Sequence, residues 1–300
     1  MYIRAPQLTA DQVLQAFHHD APRLFLGAMI VGVGLVAAGF SAIRRKIDPL
    51  LIYFALFAFT YGLRMWMQSQ LLYLTMQGSS FYFKITHAID FSIPIPGFLF
   101  FDAAGFLHRW GKTASYVTGI VLAFALATLA LGPQNIFYRI TGVLVIAALI
   151  VLVARSMRTT SVTQDFIVIR RGLATFVAFA VWENIRGMLG LGLPDVEPIG
   201  FVALLVALGY VAAHQTLRRD QQLSEIQKEL EVARRIQLSI LPARFPNSAN
   251  FRVAARYVPM TSVAGDFYDF IVADDRQAGL LIADVSGHGV PAALIASMVR

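Results

Sequence analysis

Two aspartates near the carboxyl end of this 300-residue chain are placed to do chemistry. Asp266 follows Gly265 at the start of one β-rich segment. Asp284 closes another, just ahead of Ser286-Gly287-His288-Gly289. Carboxylates at strand ends beside glycine turns let a hard cation reach both a side-chain oxygen and a backbone carbonyl. Oxygen donors of this kind suit Mg²⁺ or Mn²⁺ rather than zinc. Asp beside Gly is also ordinary turn chemistry, and the spacing alone leaves both readings open. His288 has the same two sides, a general acid or a turn residue held between two glycines. The chain contains no cysteine, which excludes thiolate catalysis, disulfides and Cys-ligated zinc.

These residues need strands and helices to hold them. Phe251–Val258, Asp266–Val272 and Leu280–Val285 alternate and are rich in β-formers, so each reads as a short strand. Pro291 suits the first turn of a helix running through Ala292–Val299. Upstream, Leu223, Ile226, Leu230, Ala233, Gln237 and Ile240 recur at steps of three and four. That is the a/d seam of a signalling helix over 215–242, expected to pair in a parallel homodimer. The other reading is an amphipathic helix packed on a neighbouring domain. Pro242 ends it, and Pro246-Asn247-Ser248 forms a turn.

The first two-thirds of the chain is of another kind. Hydrophobic residues make up 57 % of the sequence and charged ones 14 %, with a mean hydropathy of +0.62. Soluble domains carry roughly 25 % charged residues, so a purely soluble single-core enzyme is excluded. Seven segments, about 24–43, 50–74, 81–107, 114–132, 136–154, 172–193 and 198–214, are apolar over the roughly 20 residues that a bilayer demands. The loops between them alternate in charge. Arg44-Arg45-Lys46, Arg109 with Lys112, and Arg155, Arg158, Arg170 and Arg171 mark the odd loops, and Arg218-Arg219 follow the last span. Positive loops stay cytoplasmic, which puts the amino terminus outside and the carboxyl terminus inside. The net charge of +7 therefore reads as membrane topology, not as a nucleic-acid footprint. Residues 1–23 form a short extracytoplasmic tail with an expected surface helix, and 24–214 form the membrane module. Arg64, Asp90, Glu183 and Arg186 fall inside spans, where ionisable groups are costly and are normally paired or functional. They read either as structural ion pairs or as the lining of a ligand pocket, with Pro94 and Pro96 loosening span three.

Three motifs carry a resemblance. They are Glu231-Val232-Ala233-Arg234-Arg235-Ile236-Gln237-Leu238-Ser239-Ile240-Leu241-Pro242, then Val263-Ala264-Gly265-Asp266-Phe267-Tyr268-Asp269, then Asp284-Val285-Ser286-Gly287-His288-Gly289-Val290-Pro291-Ala292-Ala293-Leu294. In this order they closely resemble the opening of the SpoIIE/RsbU branch of the metal-dependent protein phosphatases, the PPM superfamily, over roughly 225–300. One departure is Ala264, where the family commonly has a second glycine. The resemblance implies that 243–300 begin an α-β-β-α sandwich that removes phosphate from phosphoserine or phosphothreonine with two Mn²⁺ or Mg²⁺ ions. Asp266 would ligate one ion, Asp284 would bridge both, and the Val285 carbonyl would complete a position; Asp269 matches the pattern without an assigned role. The family takes further aspartates from later strands, so this sequence is expected to be a piece of a longer protein and inactive by itself. The phosphoprotein substrate implied is an anti-sigma-factor antagonist. More loosely, the seven spans and Tyr61-Gly62-Leu63-Arg64 resemble the membrane module of bacterial receptors with diverse intracellular outputs. Together the two likenesses imply a multi-pass sensor in a bacterial inner membrane with its carboxyl terminus cytoplasmic. The competing readings are a transporter, or a receptor whose phosphatase-like tail only binds.

Overall fold

The computed structural model describes residues 9–44, 48–76, 79–107, 119–123, 127, 135–159, 163–190, 193–244, 250, 252–259, 262–274, 277–287 and 289–298. The chain divides into two compact units, Met1–Thr216 and Leu217–Arg300.

In the first unit α1 runs over Ala10–Ile43. Thr9 caps it by a reciprocal box, its hydroxyl accepting from the Gln12 N–H while the Gln12 side chain accepts from the Thr9 N–H. The expected surface helix of the tail is therefore the first part of α1, not a separate element. Pro22 does not break it, because tertiary bonds hold the turns on either side. Buried Asp20 accepts from the Leu71 N–H at 2.8 Å, and Trp66 Nε1 donates to the Leu24 carbonyl at 3.1 Å.

Asp48 caps α2 (Pro49–Met67), with proline at the first position. The expected second span, 50–74, is interrupted at Gln68, since Ser69 starts a new helix, α3 (Gln70–Thr75), by accepting from the Leu72 N–H. The third span, 81–107, is likewise two helices, α4 (Ser80–Ser92) and α5 (Pro94–Ala103). Pro94 has no N–H for the ladder, so the break falls where the sequence placed it. Then come α6 (Asn135–Ser156), α7 (Gln164–Leu189) and α8 (Glu197–Ile240). Gly190, at φ +63°, closes α7 in the left-handed conformation. The expected fourth span, with Arg109 and Lys112 before it, lies mostly outside the described residues, of which 119–123 are helical. Among the described residues three helices are long and apolar enough to cross a membrane, α1, α2 and α8.

Close backbone approach sets the α1–α2 contact. A Cβ on Gly62 would lie 2.6 Å from Val31 Cγ2 and 2.8 Å from the Gly27 carbonyl oxygen. Small residues at such a crossing let backbones touch where lipid supplies no hydrophobic drive. Aromatic rings fill the neighbouring layer: Tyr61 stacks on Phe201 of α8 at 3.3 Å between centroids, and Phe57 lies 4.9 Å from the same ring.

The second unit holds the lower part of α8, an antiparallel hairpin of β1 (Asp266–Asp274) and β2 (Gln277–Asp284), and α9 (Val290–Met298). Leu241, Phe267 and Ala296 form its small core, with Ile240, Tyr257, Tyr268 and Val285 against them. Residues 252–259, expected as a strand, carry no regular structure here. Among the described residues the sheet has two strands, and this segment pairs with neither. Leu280 and Ile282 of β2 stay exposed, the latter at 75 %.

Gly62→Ala is expected to destabilise the first unit by about 1–3 kcal/mol through overpacking. A thermal melt of the chain in detergent checks this; an unmoved midpoint would mean that α1 and α2 do not cross so closely.

Candidate metal-binding site

The hairpin register brings the two aspartates together. Asp266 and Asp284 are Cα partners at the open end of the ladder. Directly opposed residues share one sheet face with Cβ atoms about 4.5–5.5 Å apart, and two like charges so placed repel. Both residues are exposed. Asp269, three positions along β1, falls on the other face by strand alternation, and its carboxylate accepts from the Phe270 N–H at 2.8 Å. It does not join the pair.

Beside the pair the chain leaves room for only a glycine. The Val285 N–H donates to the Gly265 carbonyl at 3.3 Å, and a Cβ on Gly265 would sit 2.7 Å from the Val285 carbonyl oxygen. Gly265 thus keeps that oxygen free of side-chain carbon at the end of the hairpin. Two carboxylates and a backbone carbonyl would offer an all-oxygen donor set, the kind that suits a hard divalent cation. Among the described residues no group of three His, Cys, Asp or Glu is gathered that could hold a metal by itself. His288 lies outside the described residues, between Gly287 (φ +114°) and Gly289 (φ +76°).

Gln237 holds the strand end from below. Its side chain is 6 % exposed and meets both backbone groups of Ala264. Gln237 Nε2 donates to the Ala264 carbonyl at 2.5 Å, and the Ala264 N–H donates to Gln237 Oε1 at 3.2 Å. One amide therefore fixes the residue two positions before Asp266. Gln237 was legible only as the polar member of an apolar seam. Of that seam, Leu223 and Ile226 are exposed on α8, Leu230 and Ala233 are half-buried, and Gln237 turns into the core of its own unit. The Tyr257 hydroxyl is buried and has no hydrogen-bond partner among the described residues; burial first, then the Asp266 charge, pushes it above the usual phenol range.

The four ionisable residues expected inside spans fall into two sets. Arg64 binds Glu197 with Nη1 and Nη2 (2.5 and 3.2 Å) and Asp90 with Nε (3.2 Å). Gln68 Nε2 adds a bond to Asp90 at 3.3 Å, and the Arg64 guanidinium lies over the Tyr61 ring. Glu183 and Arg186 pair with each other on α7, and Arg186 Nη1 also donates to the Leu193 carbonyl at 2.6 Å. Because α2 ends at Met67, Arg64 sits one turn from a helix end, not the ten residues expected from a longer span. Glu197 was missed because it read as loop charge. The acidic first turn of a coming helix was the signal that could have found it.

Two carboxylates opposed on one hairpin are oxygen donors of the kind that a hard cation accepts. The chain is 41 % identical over 98 residues to the phosphoserine phosphatase RsbU of Bacillus subtilis (strain 168), which is 32 % of this chain and 28 % of that protein. It is 38 % identical over 72 residues to the protein IcfG of Synechocystis (24 % and 11 %). It is 35 % identical over 68 residues to the B. subtilis phosphoserine phosphatase RsbP (23 % and 17 %). Part of this chain is thus related to the RsbU-type phosphatases, and it spans less than a third of the length of each of these relatives. No protein-family model matches, and no solved structure matches.

Gln237→Leu is expected to lower the stability of the second unit by about 1–3 kcal/mol, the loss of two hydrogen bonds to the half-buried Ala264 backbone. Denaturant unfolding followed at an introduced probe on α9 measures it; a neutral result would mean that the clamp is dispensable.

Proposed function

We propose that this chain is the membrane-anchored, signal-receiving part of a protein phosphatase acting on phosphoserine or phosphothreonine. The observation that carries the reading is the Asp266–Asp284 pair facing across one hairpin beside the Val285 carbonyl. The similarity to two proteins named as phosphoserine phosphatases supports it. Asp266 would hold one Mn²⁺ or Mg²⁺, Asp284 would lie between two, and the Val285 carbonyl would add a donor. When bound, a pair of such ions supplies Lewis acidity at the phosphoryl group and a more acidic water for its hydrolysis. The chain's part is positional. The ladder fixes the separation of the two carboxylates, Gly265 keeps the carbonyl accessible, and Gln237 ties the strand end to α8.

The apolar helices α1, α2 and α8, with the alternating positive loops, support insertion in a bacterial inner membrane with the carboxyl terminus in the cytoplasm. The substrate on this reading is a cytoplasmic regulatory phosphoprotein of the anti-sigma-factor-antagonist kind. Exposed Leu223 and Ile226 favour a homodimer through α8.

In the full protein, Asp284→Ala is expected to reduce Mn²⁺-dependent phosphate release from a phosphoserine peptide by at least about a thousandfold. Such a loss follows from removing the carboxylate that organises the charge-stabilising ions. EDTA on the unaltered protein serves as the control, and undiminished release from the variant would overturn the assignment. For α8, inserting one residue near Gln221 turns all that follows by about 100°. That insertion should alter phosphate release far more than a seven-residue insertion, which nearly restores the phase. Equal effects would make α8 a tether.

A further inference from the structure

The ion cluster at the start of α8 takes no part in hydrolysis, and its charges do not balance. Arg64 on α2 and Arg23 on α1 face three carboxylates: Asp90 on α4, and Asp195 and Glu197 at the head of α8. Arg23 belongs to Asp195 at 2.8 Å, and the second Asp195 oxygen caps α8 by accepting from the Glu197 N–H at 3.1 Å. That leaves one guanidinium for two acids.

The two acids are not equally provided for. Glu197 takes two N–H donors from Arg64 and sits in the first turn of a helix, where the backbone dipole favours negative charge. Asp90 takes the remaining Nε–H and the neutral amide of Gln68, both on one oxygen. Its side chain is 10 % exposed, so water does little to make up the difference. The other titratable group bearing on Asp90, besides Arg64 and Glu197, is His87 on its own helix, whose Nδ1 lies 2.7 Å from the Phe83 carbonyl.

We propose that Arg64, divided between Asp90 and Glu197, is a proton-set latch on α8. With Asp90 protonated, the guanidinium belongs wholly to Glu197 and fastens the first turn of α8 to α2. With Asp90 ionised, the guanidinium is shared between helices α4 and α8, and the head of α8 loosens. Acidification therefore tightens the head of the helix that continues, unbroken, as far as Ile240. The latch rests on the geometry of the first unit alone and stands or falls independently of phosphatase activity.

Hydrogen exchange of the backbone amides of 201–206, on the 300-residue chain in lipid nanodiscs and corrected for the intrinsic pH dependence, reads the latch directly. The unaltered chain is expected to exchange at least about fivefold more slowly on the acid side of a transition, the low end of ordinary site-to-site coupling. Asp90→Asn should exchange slowly at every pH, and Glu197→Gln rapidly at every pH. Gln68→Leu removes a donor to the ionised carboxylate, so the transition should move to higher pH. A profile for Asp90→Asn that follows the unaltered chain would overturn the proposal, as would the lack of any transition in the unaltered chain. Should Asp90→Asn not fold, the Gln68→Leu profile decides: a transition that does not move sinks the latch.

Discussion

The first unit is organised around the contact of α2 with the head of α8. Tyr61 and Phe201 stack within 4° of parallel, both essentially buried, and Arg64 one turn on grips Glu197 with two bonds. The apolar pair supplies contact area and the ion pair supplies direction, since a bidentate guanidinium accepts a carboxylate in few orientations. Burying those charges is costly without such geometry. Gly62 allows α1 to lie close to α2, and Phe57, one turn before Tyr61, also packs on the Phe201 ring.

A second polar attachment marks the other end of this stretch of α8. His214 Nδ1 lies 2.7 Å from Asp165 Oδ1, and the Thr216 hydroxyl donates to Asp48 at 2.7 Å. Nineteen residues separate Glu197 from Thr216, about 28 Å of helix at 1.5 Å per residue. That is close to the roughly 30 Å hydrocarbon thickness of a bilayer. Polar bonds at both ends and apolar packing between them are what a spanning helix needs.

In the second unit the argument turns on repulsion. Two carboxylates directly opposed on a hairpin weaken it unless something positive lies between them. Their positions are nevertheless fixed by groups that do no chemistry: the ladder, the Gly265 backbone and the Gln237 amide. Elements that spend local stability on a charge arrangement are characteristic of sites.

Sequence by itself determined what depends on residue type and local spacing. Long apolar runs, the proline break at Pro94, the strands around Asp266 and Asp284, and the resemblance to the RsbU-type phosphatases were all legible. These are properties of a few neighbouring residues, and the backbone reads them without help. What only tertiary structure decided depends on distant partners. Whether residues 252–259 become a strand depends on pairing with a distant edge, and among the described residues β1 pairs only with β2. Whether the tail ahead of Pro22 continues α1 depends on Asp20 finding the Leu71 N–H. Whether Gln237 faces a dimer partner or Ala264 depends on the fold of its own unit, and Arg64 meets Glu197 across 133 residues. No periodicity records such a meeting, because the energy that selects it arises only once the helices are packed.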